Sequence, residues 1–478
     1  MSTSNDLATS HAEIAARIRS AHPPLSAGQA LIEAERCYTC HDAPCVAACP
    51  TGIDIPAFIG RIAQGNVRGA AAAILLANPL GGMCARVCPT EVLCEGACVR
   101  HTQQHKPVEI GLLQRHATDV FFARGGAPLP LFTRAARSGR RVAVVGAGPA
   151  GLACAHGLAR LGHDVVLFDR RPKPGGLNEY GIASYKTPDG FAQAEVQWLL
   201  SIGGIELRCG QALGRELTLD GLRADYDAVF LGLGLAGVNA LGIPEPQAGE
   251  TVALAAAVDF IVELRQASDL SRVPVGRQVV VIGGGMTAID AAVQARILGA
   301  ETATIVYRRG AEAMPASRHE QEWAQTQGVL IRHWAAPEAV LLEAGRVTGV
   351  RFARTRLVGA RLAHTGESFT LACDMVLRAI GQTYVAAAAG SAIALHEGRI
   401  RTDAECRTSV AGVWAGGDCR AGGRDLTVEA VQDGKVAAGS IDAALRVGAI
   451  DAALRAGTID AALRAGAIPT TSSAKNGA

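Results

Sequence analysis

The sequence carries little net charge and has no long hydrophobic run. Charged residues make up 19% of the 478 residues, and the net charge is +2. Such a balance provides neither a basic surface for nucleic acid nor an acidic tail. No stretch reaches the roughly 18 uninterrupted apolar residues of a transmembrane helix. We therefore expect no nucleic acid and no membrane among the partners, which specific motifs must define.

A secretory signal is also missing from the N-terminal segment MSTSNDLATSHAEIAARIRS, which has no apolar core. We therefore expect a cytoplasmic protein, whose thirteen cysteines lie in a reducing compartment. In that setting, clustered cysteines bind metal more often than they form disulfides. The length is too great for one core and predicts two to four domains.

Eight of the cysteines lie in two groups, CYTCHDAPCVAACP and CARVCPTEVLCEGAC. Structural zinc, disulfides and iron-sulfur clusters are the competing interpretations. Disulfides conflict with a reducing compartment. Zinc sites usually pair two C-x-x-C units, whereas only Cys37 and Cys40 have that spacing here. The first group ends in Cys-Pro, as in bacterial ferredoxins. We therefore predict two 4Fe-4S clusters.

The cysteine before proline binds the other cluster in two-cluster ferredoxins, and the same exchange is expected here. The ligands then predicted for the first cluster are Cys37, Cys40, Cys45 and Cys98. Those predicted for the second cluster are Cys49, Cys88 and Cys94. One position of the second cluster stays open, and counting alone would give it to Cys84.

A dinucleotide-binding fingerprint follows in RVAVVGAGPAGLACAHGLARLGHDVVLFDR, which reads as strand, glycine turn, helix and second strand. Gly146 allows the tight turn, Gly148 lets a pyrophosphate approach the helix N-terminus, and Gly151 lets the helix pack closely. Asp169 ends the second strand, where a ribose hydroxyl needs an acceptor. The unit is predicted to bind a dinucleotide.

The pattern restarts in RQVVVIGGGMTAIDAAVQARILGAETATIVYRR, with Gly283, Gly285 and Ala288 as G-x-G-x-x-A. Two such units predict two different dinucleotides. Here the second strand ends in Arg308 and Arg309, a pair that suits the 2′-phosphate of NADP. Two arginines at this position are equally compatible with a solvated turn, so NADH and NADPH both stay open.

Two further glycine motifs accompany these units. Gly175 and Gly176 lie where a chain can pass close to a flavin, although an ordinary loop is equally compatible with them. Near the C-terminus, Gly417 and Asp418 follow an apolar strand. A helix is predicted from near Thr427, with its positive end toward the flavin's pyrimidine edge. From residue 441, IDAALRVGA, IDAALRAGT and IDAALRAGA repeat with a period of nine, which predicts a helical extension or a tail without chemistry.

The fold class predicted from this order is α/β, with an N-terminal α-helical iron-sulfur domain followed by two nested Rossmann-like dinucleotide-binding domains. The helical domain is expected at residues 1–135, with a linker at 125–130. The FAD-binding domain is expected at 136–265 and 381–445, on either side of an NAD(P)-binding domain at 266–380. Residues 446–478 form the repetitive tail.

Several motifs in sequence order resemble a known family. They are CYTCHDAPCVAACPTGIDI, NPLGGMCARVCPTEVLCEGAC, GAGPAGLACA, GGLNEYGIASYK, VYRRGAEAMPASRHE and GGDCRAGGRDLTVEAVQDGK. Over roughly residues 30–445 the chain resembles the electron-entry half of dihydropyrimidine dehydrogenase, and likewise the small subunit of bacterial glutamate synthase. The stretch GGLNEYGIASYK looks closer to the two-subunit bacterial dihydropyrimidine dehydrogenases. The resemblance implies FAD in the first unit, NADH or NADPH in the second, and two 4Fe-4S clusters.

The resemblance also implies site residues. It gives the open position of the second cluster to Gln114, so that Cys84 is not a ligand. Taken with the motifs above, it assigns to FAD the residues Gly146, Gly148, Pro149, Ala150, Gly151, Asp169, Gly176, Leu177, Lys186, Gly417, Asp418 and Thr427. It assigns to the nicotinamide nucleotide Gly283, Gly285, Met286, Thr287, Ala288, Arg308 and Arg309.

Three positions depart from the pattern of the family. Asp169 stands for a more usual glutamate and Lys186 for an arginine. A further basic residue of the NADPH-using relatives has no match near Met314, which weakens the case for NADP.

The implied function is that of an oxidoreductase subunit without a catalytic side chain of its own. Hydride passes from NADH or NADPH to FAD, and electrons leave through the two clusters, since the cofactors carry the chemistry. No segment is left for an FMN-binding barrel, so a separate FMN-containing subunit is expected to reduce uracil or thymine. The alternatives are the small subunit of glutamate synthase and a non-enzymatic flavoprotein. A disulfide reductase is disfavoured, because the five later cysteines form no C-x-x-C pair.

Overall fold

The computed structural model describes residues 10–18, 20–123, 131–244, 253–386, 390 and 392–455. The predicted linker at 125–130 and the last part of the repeats, residues 456–478, lie outside the described residues. Four parts are distinguished below: the N-terminal helix, a cysteine domain (residues 20–123), a first nucleotide domain (131–238 and 382–455) and a second nucleotide domain (253–381).

The N-terminal part is helical, as predicted. Its helices are α1 (His11–Arg17), α2 (Ala27–Glu35), α3 (Pro44–Ala47), α4 (Ile55–Ala63), α5 (Val67–Ala77), α6 (Gly81–Val87), α7 (Val99–Gln104) and α8 (Ile110–Phe122). Capping boxes at Ser10 and Ser26 begin α1 and α2, because each hydroxyl satisfies a free N–H of the first turn. The apolar faces of α2, α4, α5 and α8 meet around Phe58 and Leu113, which form the core of the cysteine domain.

Helix α1 does not belong to that core. Its buried residue, Ile14, packs in the core of the second nucleotide domain, and Arg17 donates a hydrogen bond to the carbonyl oxygen of Ile297 at 3.3 Å. The prediction of one helical domain over residues 1–135 was therefore wrong at its start. An isolated two-turn helix buries its apolar side against whichever domain it meets, and spacing cannot name that domain.

The first nucleotide domain is built on a parallel sheet in the order β17-β4-β1-β2-β3. The strands are β1 (Arg141–Val145), β2 (Asp164–Asp169), β3 (Ile205–Cys209), β4 (Ala228–Leu231) and β17 (Val413–Ala415). Its helices are α9 (Pro149–Arg160), α10 (Leu177–Tyr180), α11 (Phe191–Leu200), α12 (Leu219–Asp225) and α16 (Thr427–Arg455). Strand β17 returns after the second domain to pair with β4, so the two domains are nested as predicted.

The second nucleotide domain repeats this plan with a parallel sheet in the order β6-β13-β7-β8-β9. Its strands are β6 (Leu254–Ala256), β7 (Gln278–Gly283), β8 (Thr302–Val306), β9 (Val329–Arg332) and β13 (Met375–Ala379). Its helices are α13 (Ala257–Gln266), α14 (Met286–Leu298) and α15 (Arg318–Thr326). An antiparallel sheet of β10 (Ala335–Glu343), β11 (Arg346–Val358) and β12 (Arg361–Ala372) covers one side.

The predicted boundary between the two nucleotide domains at residue 265 was wrong. Strand β6 pairs with β13, with Leu254 opposite Val376, and Phe260 and Ile261 of α13 lie in the second core. The second domain therefore includes both elements. The chain crosses between the domains at two neighbouring places, where β5 (Gly237–Val238) pairs with β14 (Gln382–Thr383). A last small pair, β15 (Leu395–His396) and β16 (Arg399–Ile400), follows.

Helix α16 begins at Thr427, where the sequence predicted a helix, and continues to Arg455 through the first nine-residue repeat. It packs closely on α9, because a Cβ on Gly434 would lie 2.2 Å from the carbonyl oxygen of Ala150. Across the described segments, no single helix has both the length and the hydropathy to cross a membrane. Helices α5 and α6 have the required length and hydropathy only when they are taken together, and the two helices are bent by 91° relative to each other.

Candidate functional site

The four cysteines predicted for the first cluster line one cavity of the cysteine domain. Cys37, Cys40, Cys45 and Cys98 share its wall with apolar side chains from α4 and α8. Among the residues with described coordinates, no group of three or more His, Cys, Asp or Glu side chains is arranged to hold one metal ion. All four cysteines contribute to the wall of this one cavity, as the ligands of a single cluster would.

The electrostatics of this cavity follow from the convergence of the thiols. Burial raises the pKa of Cys37, and the Cys40 and Cys98 thiolates add to the effect. Burial likewise raises the pKa of Cys45 to about 11, again with help from Cys37 and Cys98. The backbone N–H of Thr39 donates a hydrogen bond to the sulfur of Cys37 at 3.5 Å. A raised pKa keeps a thiol protonated, so the binding of a cluster by these cysteines as thiolates would release protons.

The second set of cysteines also converges. The pKa of Cys88 is raised well above its ordinary value by a hydrogen bond with Cys84, by burial and by the thiolates of Cys94 and Cys49. Burial raises the pKa of Cys94, with Cys49 among the contributing charges. Cys49, Cys88 and Cys94 are thus near one another, and their role as ligands of the second cluster stays a prediction.

The two candidates for the open position of the second cluster are both near helix α6: Cys84 belongs to α6, and Gln114 contacts it from α8. Cys84 is buried beside Cys88, in a small apolar cluster with Leu93 and Val428. Gln114, on α8, is also buried, and its Nε2 donates a hydrogen bond to the carbonyl oxygen of Gly81 at 2.7 Å. This bond fixes the amide group and leaves Oε1 as an acceptor.

The first glycine turn has the shape that the fingerprint predicts. Gly146 has a φ of +102°, and a Cβ there would lie 2.2 Å from the carbonyl oxygen of Gly232. A Cβ on Gly151 would lie 1.8 Å from the oxygen of Gly146, so α9 can approach the strand only with glycine there. Pro149 and Ala150 open α9, where proline lacks an N–H that the helix would leave free anyway.

The loop of Gly175 and Gly176 reaches this turn. The N–H of Gly175 donates to the carbonyl oxygen of Ala147 at 2.7 Å, and a Cβ on Gly176 would lie 2.6 Å from the Cα of Gly148. Leu177 follows at the start of α10, partly exposed. Two stretches of backbone without side chains therefore meet at the end of β1, which provides the close approach that a pyrophosphate needs.

Asp169 closes β2 beside the same turn. Its carboxylate accepts hydrogen bonds from the N–H groups of Ala147 at 2.7 Å and Arg171 at 2.8 Å. Burial raises the pKa of Asp169, while those two N–H groups lower it. The side chain is thus oriented at the glycine turn, where the sequence places a ribose.

The C-terminal motif completes this edge of the sheet. A Cβ on Gly417 would lie 3.0 Å from the Cβ of Ala150. Burial raises the pKa of Asp418 to about 7, with a further contribution from Asp425. The hydroxyl of Thr427, at the start of α16, donates to Oδ1 of Asn178 at 3.0 Å. The residues predicted for FAD thus meet at one end of the first sheet, apart from Lys186.

Lys186 lies on the side of the second nucleotide domain. Its Nζ is 2.9 Å from Oδ1 of Asp290 and 2.9 Å from Oε1 of Glu320. Burial opposes the charge, but Asp290 and Glu320 outweigh it and raise the pKa of Lys186. The hydroxyl of Tyr185 donates to Asp290 at 2.8 Å. These contacts tie the loop after α10 to α14 and α15, which differs from the predicted contact with FAD.

The second glycine turn repeats the first. Gly283 has a φ of +148°, and a Cβ there would lie 2.1 Å from the carbonyl oxygen of Ala379. Gly285 caps α14, and a Cβ there would meet no atom within 4 Å, so a ligand can approach the N-terminus of this helix. Met286 and Thr287 are half-buried in its first turn, and Ala288 is buried.

Arg308 and Arg309 follow β8 at this end of the sheet. Arg308 is exposed and Arg309 half-buried. Their backbone carbonyl oxygens accept hydrogen bonds from the Thr355 hydroxyl at 2.8 Å and the Trp334 N–H at 3.2 Å. Neither guanidinium forms an ion pair with an acid of the described residues. Their backbone is fixed, and their charge is available to a ligand.

For several residues around these sites, the sequence analysis predicted no role. Asp433 accepts hydrogen bonds from the N–H of Gly417 at 2.9 Å and from Arg420, and so holds the GGD loop on α16. Glu195 and Lys435 reach from the first nucleotide domain into the cysteine domain. The motif DLTVEAVQDGK includes Asp433 and Lys435, but spacing gave no sign of these contacts.

Two family models match the chain in the order of its domains. Residues 15–126 match the model described as dihydropyrimidine dehydrogenase domain II, 4Fe-4S cluster. Residues 140–434 match the model described as pyridine nucleotide-disulphide oxidoreductase. The two models therefore cover the cysteine domain and both nucleotide domains.

Curated relatives match over most of their own length. The NAD-dependent dihydropyrimidine dehydrogenase subunit PreT of Escherichia coli (strain K12) is 35% identical over 88% of this chain and 95% of the relative. The glutamate synthase [NADPH] small chain of the same organism is 34% identical over 88% of this chain and 92% of the relative. The NADP(+)-dependent formate dehydrogenase subunit beta of Moorella thermoacetica is 35% identical over 84% of this chain and 60% of the relative.

Solved structures share the fold of the two nucleotide domains. A thioredoxin reductase of T. acidophilum is 22% identical, with a TM-score of 0.50, over 64% of this chain and 98% of that one. FprA of Mycobacterium tuberculosis in complex with NADPH is 18% identical, with a TM-score of 0.53, over 67% of this chain and 86% of that one. At these identities the likeness concerns the fold alone.

Proposed function

Because this chain belongs to the pyridine nucleotide-disulphide oxidoreductase family and carries an iron-sulfur domain of the dihydropyrimidine dehydrogenase type, we propose that it delivers electrons to a separate pyrimidine-reducing subunit. The chain is an oxidoreductase electron-transfer subunit with 4Fe-4S clusters, FAD and NAD(P)H as cofactors, and it works with a partner subunit. The proposal concerns the partner, its FMN and its reaction, the reduction of uracil or thymine to the 5,6-dihydropyrimidine.

One observation carries the proposed route. Thr427 contacts Asn178 of α10, the helix that follows the loop of Gly175 and Gly176, and the next residue, Val428, packs against Cys84 with Cys88 beside it. The first turn of α16 therefore joins the proposed FAD site to the proposed second cluster. When bound, FAD accepts hydride and the clusters carry single electrons.

The first cluster is the one that we propose as the exit. Its ligand Cys40 also borders an open groove, next to His41 and Asp42, whose side chains are almost fully exposed. Tyr38 is half exposed under the guanidinium of Arg100, 3.8 Å from the ring centroid. A partner that docks over this groove meets a ligand of the first cluster, whereas Cys49, Cys88 and Cys94 do not line the groove.

We propose Gln114 as the fourth ligand of the second cluster, with Cys49, Cys88 and Cys94. The anchored amide and its free Oε1 support this role, as does the resemblance. An amide oxygen is a hard, neutral ligand, whereas thiolates are soft and anionic, so this cluster should differ from the first in charge and potential.

Affinity purification from the native host tests the proposed partner. We expect an FMN-containing subunit to co-purify, and the complex to oxidise NADH or NADPH when uracil or thymine is added. Recovery of a large amidotransferase, with oxidation driven by glutamine and 2-oxoglutarate, would instead support the second candidate, the glutamate synthase small subunit. That candidate rests on the 34% identity to the glutamate synthase small chain.

A further inference from the structure

We propose that Lys435 of the first nucleotide domain raises the reduction potential of the second cluster and so acts as an electrostatic positioning residue for electron transfer from the flavin side. The inference rests on the proposed function, because it uses Cys49 as a ligand of that cluster. Nothing in the sequence motifs assigned a role to this lysine.

The ammonium group of Lys435 lies inside the cysteine domain although the residue belongs to α16. Its Nζ donates hydrogen bonds to the carbonyl oxygens of Thr51 and Ala77, the first at 3.3 Å. The hydroxyl of Thr51 lies 3.4 Å from the sulfur of Cys49. A positive charge is thus bonded to the backbone of a residue whose side chain touches a proposed cluster ligand.

The position of this charge is fixed by tight helix packing. The preceding residue, Gly434, allows α16 to approach α9, because a Cβ there would meet the carbonyl oxygen of Ala150 at 2.2 Å. One turn later, Ala438 packs against Gly157 of α9. Lys435 therefore projects from a rigid helix pair, and its two carbonyl acceptors keep the ammonium beside the cluster site.

Within the described parts of the chain, no carboxylate forms an ion pair with this ammonium group. The described ion pairs of α16 involve Glu429, Asp433, Asp442 and Arg446, and none includes Lys435. Burial lowers the pKa of Lys435, and the Cys49 thiolate counteracts this effect. Carbonyl oxygens satisfy the donors of the ammonium group without adding a negative charge that would cancel its positive charge.

The direction of the effect follows from Coulomb's law. Reduction adds one electron to the cluster, and a nearby positive charge stabilises the reduced form more than the oxidised form. The second cluster then accepts electrons from the flavin side more readily. The first cluster's cavity is lined by other residues, and the described hydrogen bonds of Lys435 go to none of them.

Potentiometric titration monitored by electron paramagnetic resonance tests the proposal on anaerobically purified full-length protein. The signal of the second cluster is identified by its loss in Cys94→Ser. In Lys435→Gln we expect the midpoint potential of that cluster to fall by about 59 mV, which is a tenfold change in a one-electron equilibrium. The first cluster should keep its potential.

Two variants separate charge from structure. Lys435→Arg keeps the charge and should stay within about twofold of the wild-type equilibrium, or less than about 20 mV. Arg446→Gln removes an exposed positive charge from the same helix, where it pairs with Asp442, and should change neither potential.

The proposal is overturned if Lys435→Gln leaves the potential unchanged, if Lys435→Arg shifts it as far as Lys435→Gln does, or if both clusters shift equally. It is also overturned if Lys435→Gln and Lys435→Met both fail to retain the second cluster, because the side chain then serves structure alone. Failure of the proposed partner and its reaction looks different, since it would appear in the identity and substrate of the co-purified subunit and would leave both cluster signals of this chain in place.

Discussion

The carboxylate of Glu195 accepts a hydrogen bond from the N–H of Gly82 at 2.8 Å and so joins α11 of the first nucleotide domain to α6 of the cysteine domain. The N–H of Met83 donates to the same carboxylate at 3.2 Å. Glu195 is fully buried, and its burial raises its pKa to about 8, although both N–H groups and Arg86 lower it. The helix that carries Cys84 is therefore held by an acid that titrates near neutral pH.

This acid makes the stability of the protein depend on pH. Its folded pKa of about 8 lies above the ordinary value of 4.5, so the folded state holds the proton more tightly than the unfolded state. The resulting stability is complete below pH 4.5 and is lost as the pH rises through 8. Each pKa unit corresponds to about 1.4 kcal/mol.

We expect Glu195→Gln, which is neutral at every pH, to gain stability relative to wild type as the pH rises from about 5.5 to 8. Urea midpoints followed by tryptophan fluorescence measure this difference. Glu322→Gln, at an exposed glutamate paired with Arg318, should show no such trend. A constant difference between Glu195→Gln and wild type across this range would contradict the assignment.

Lys186→Gln should lower the thermal midpoint of the protein while FAD stays bound. The substitution leaves the buried carboxylate of Asp290 and the half-buried carboxylate of Glu320 without their cation, and removing one partner of a buried pair typically costs about 3–5 kcal/mol. Both partners belong to the second nucleotide domain, so the flavin turn should remain intact. Calorimetry measures the thermal midpoint, and the flavin absorbance per chain measures bound FAD. Loss of FAD at an unchanged thermal midpoint would instead support the contact between Lys186 and FAD that the sequence predicted.

The fourth ligand of the second cluster is decided by a pair of variants. Cys84→Ser should keep about eight iron atoms per chain, because four cysteines hold the first cluster and Gln114 completes the second. Gln114→Ala should damage only the second cluster. If Cys84→Ser lost about four iron atoms and Gln114→Ala none, Cys84 would be the ligand.

Arg308 and Arg309 should discriminate between the two coenzymes. If they bind a 2′-phosphate, replacing both with serine removes two cations from the end of β8. We then expect kcat/KM for NADPH to fall about tenfold or more, which corresponds to a loss of about 1.4 kcal/mol of binding free energy. NADH lacks that phosphate and should change little. Steady-state reduction of an artificial acceptor measures both, and an equal loss for both coenzymes would show that the pair serves the fold. The matched control is Arg361→Ser, an exposed arginine on β12.

Sequence reasoning succeeded where a short stretch determines its own geometry. The turns at Gly146 and Gly283 were predicted from spacing because a Cβ at either position would collide with backbone. Cys37, Cys40, Cys45 and Cys98, which the motif predicts to share one cluster, line one cavity, and their role as its ligands stays a prediction. The start of α16 at Thr427 followed from the glycine loop before it.

Sequence reasoning failed where segments that are distant in the chain pack against each other. Ile14 and strand β6 joined the second nucleotide domain, and no local periodicity could say which core would bury them. Lys186, Glu195 and Lys435 act through partners more than 100 residues away in the chain. A single charged residue has no period, and its partner is known only once the domains are packed.

We propose that electrons from NAD(P)H leave this chain for a separate pyrimidine-reducing subunit. The most direct test is anaerobic oxidation of NADH or NADPH with uracil or thymine, with dihydropyrimidine measured as product, by the isolated chain and by the chain with its co-purified FMN subunit. We predict that the isolated chain reduces only an artificial acceptor and that the complex forms dihydropyrimidine in proportion to the coenzyme oxidised. Formation of dihydropyrimidine by the isolated chain, or a complex that oxidises the coenzyme only with glutamine and 2-oxoglutarate, would contradict the account.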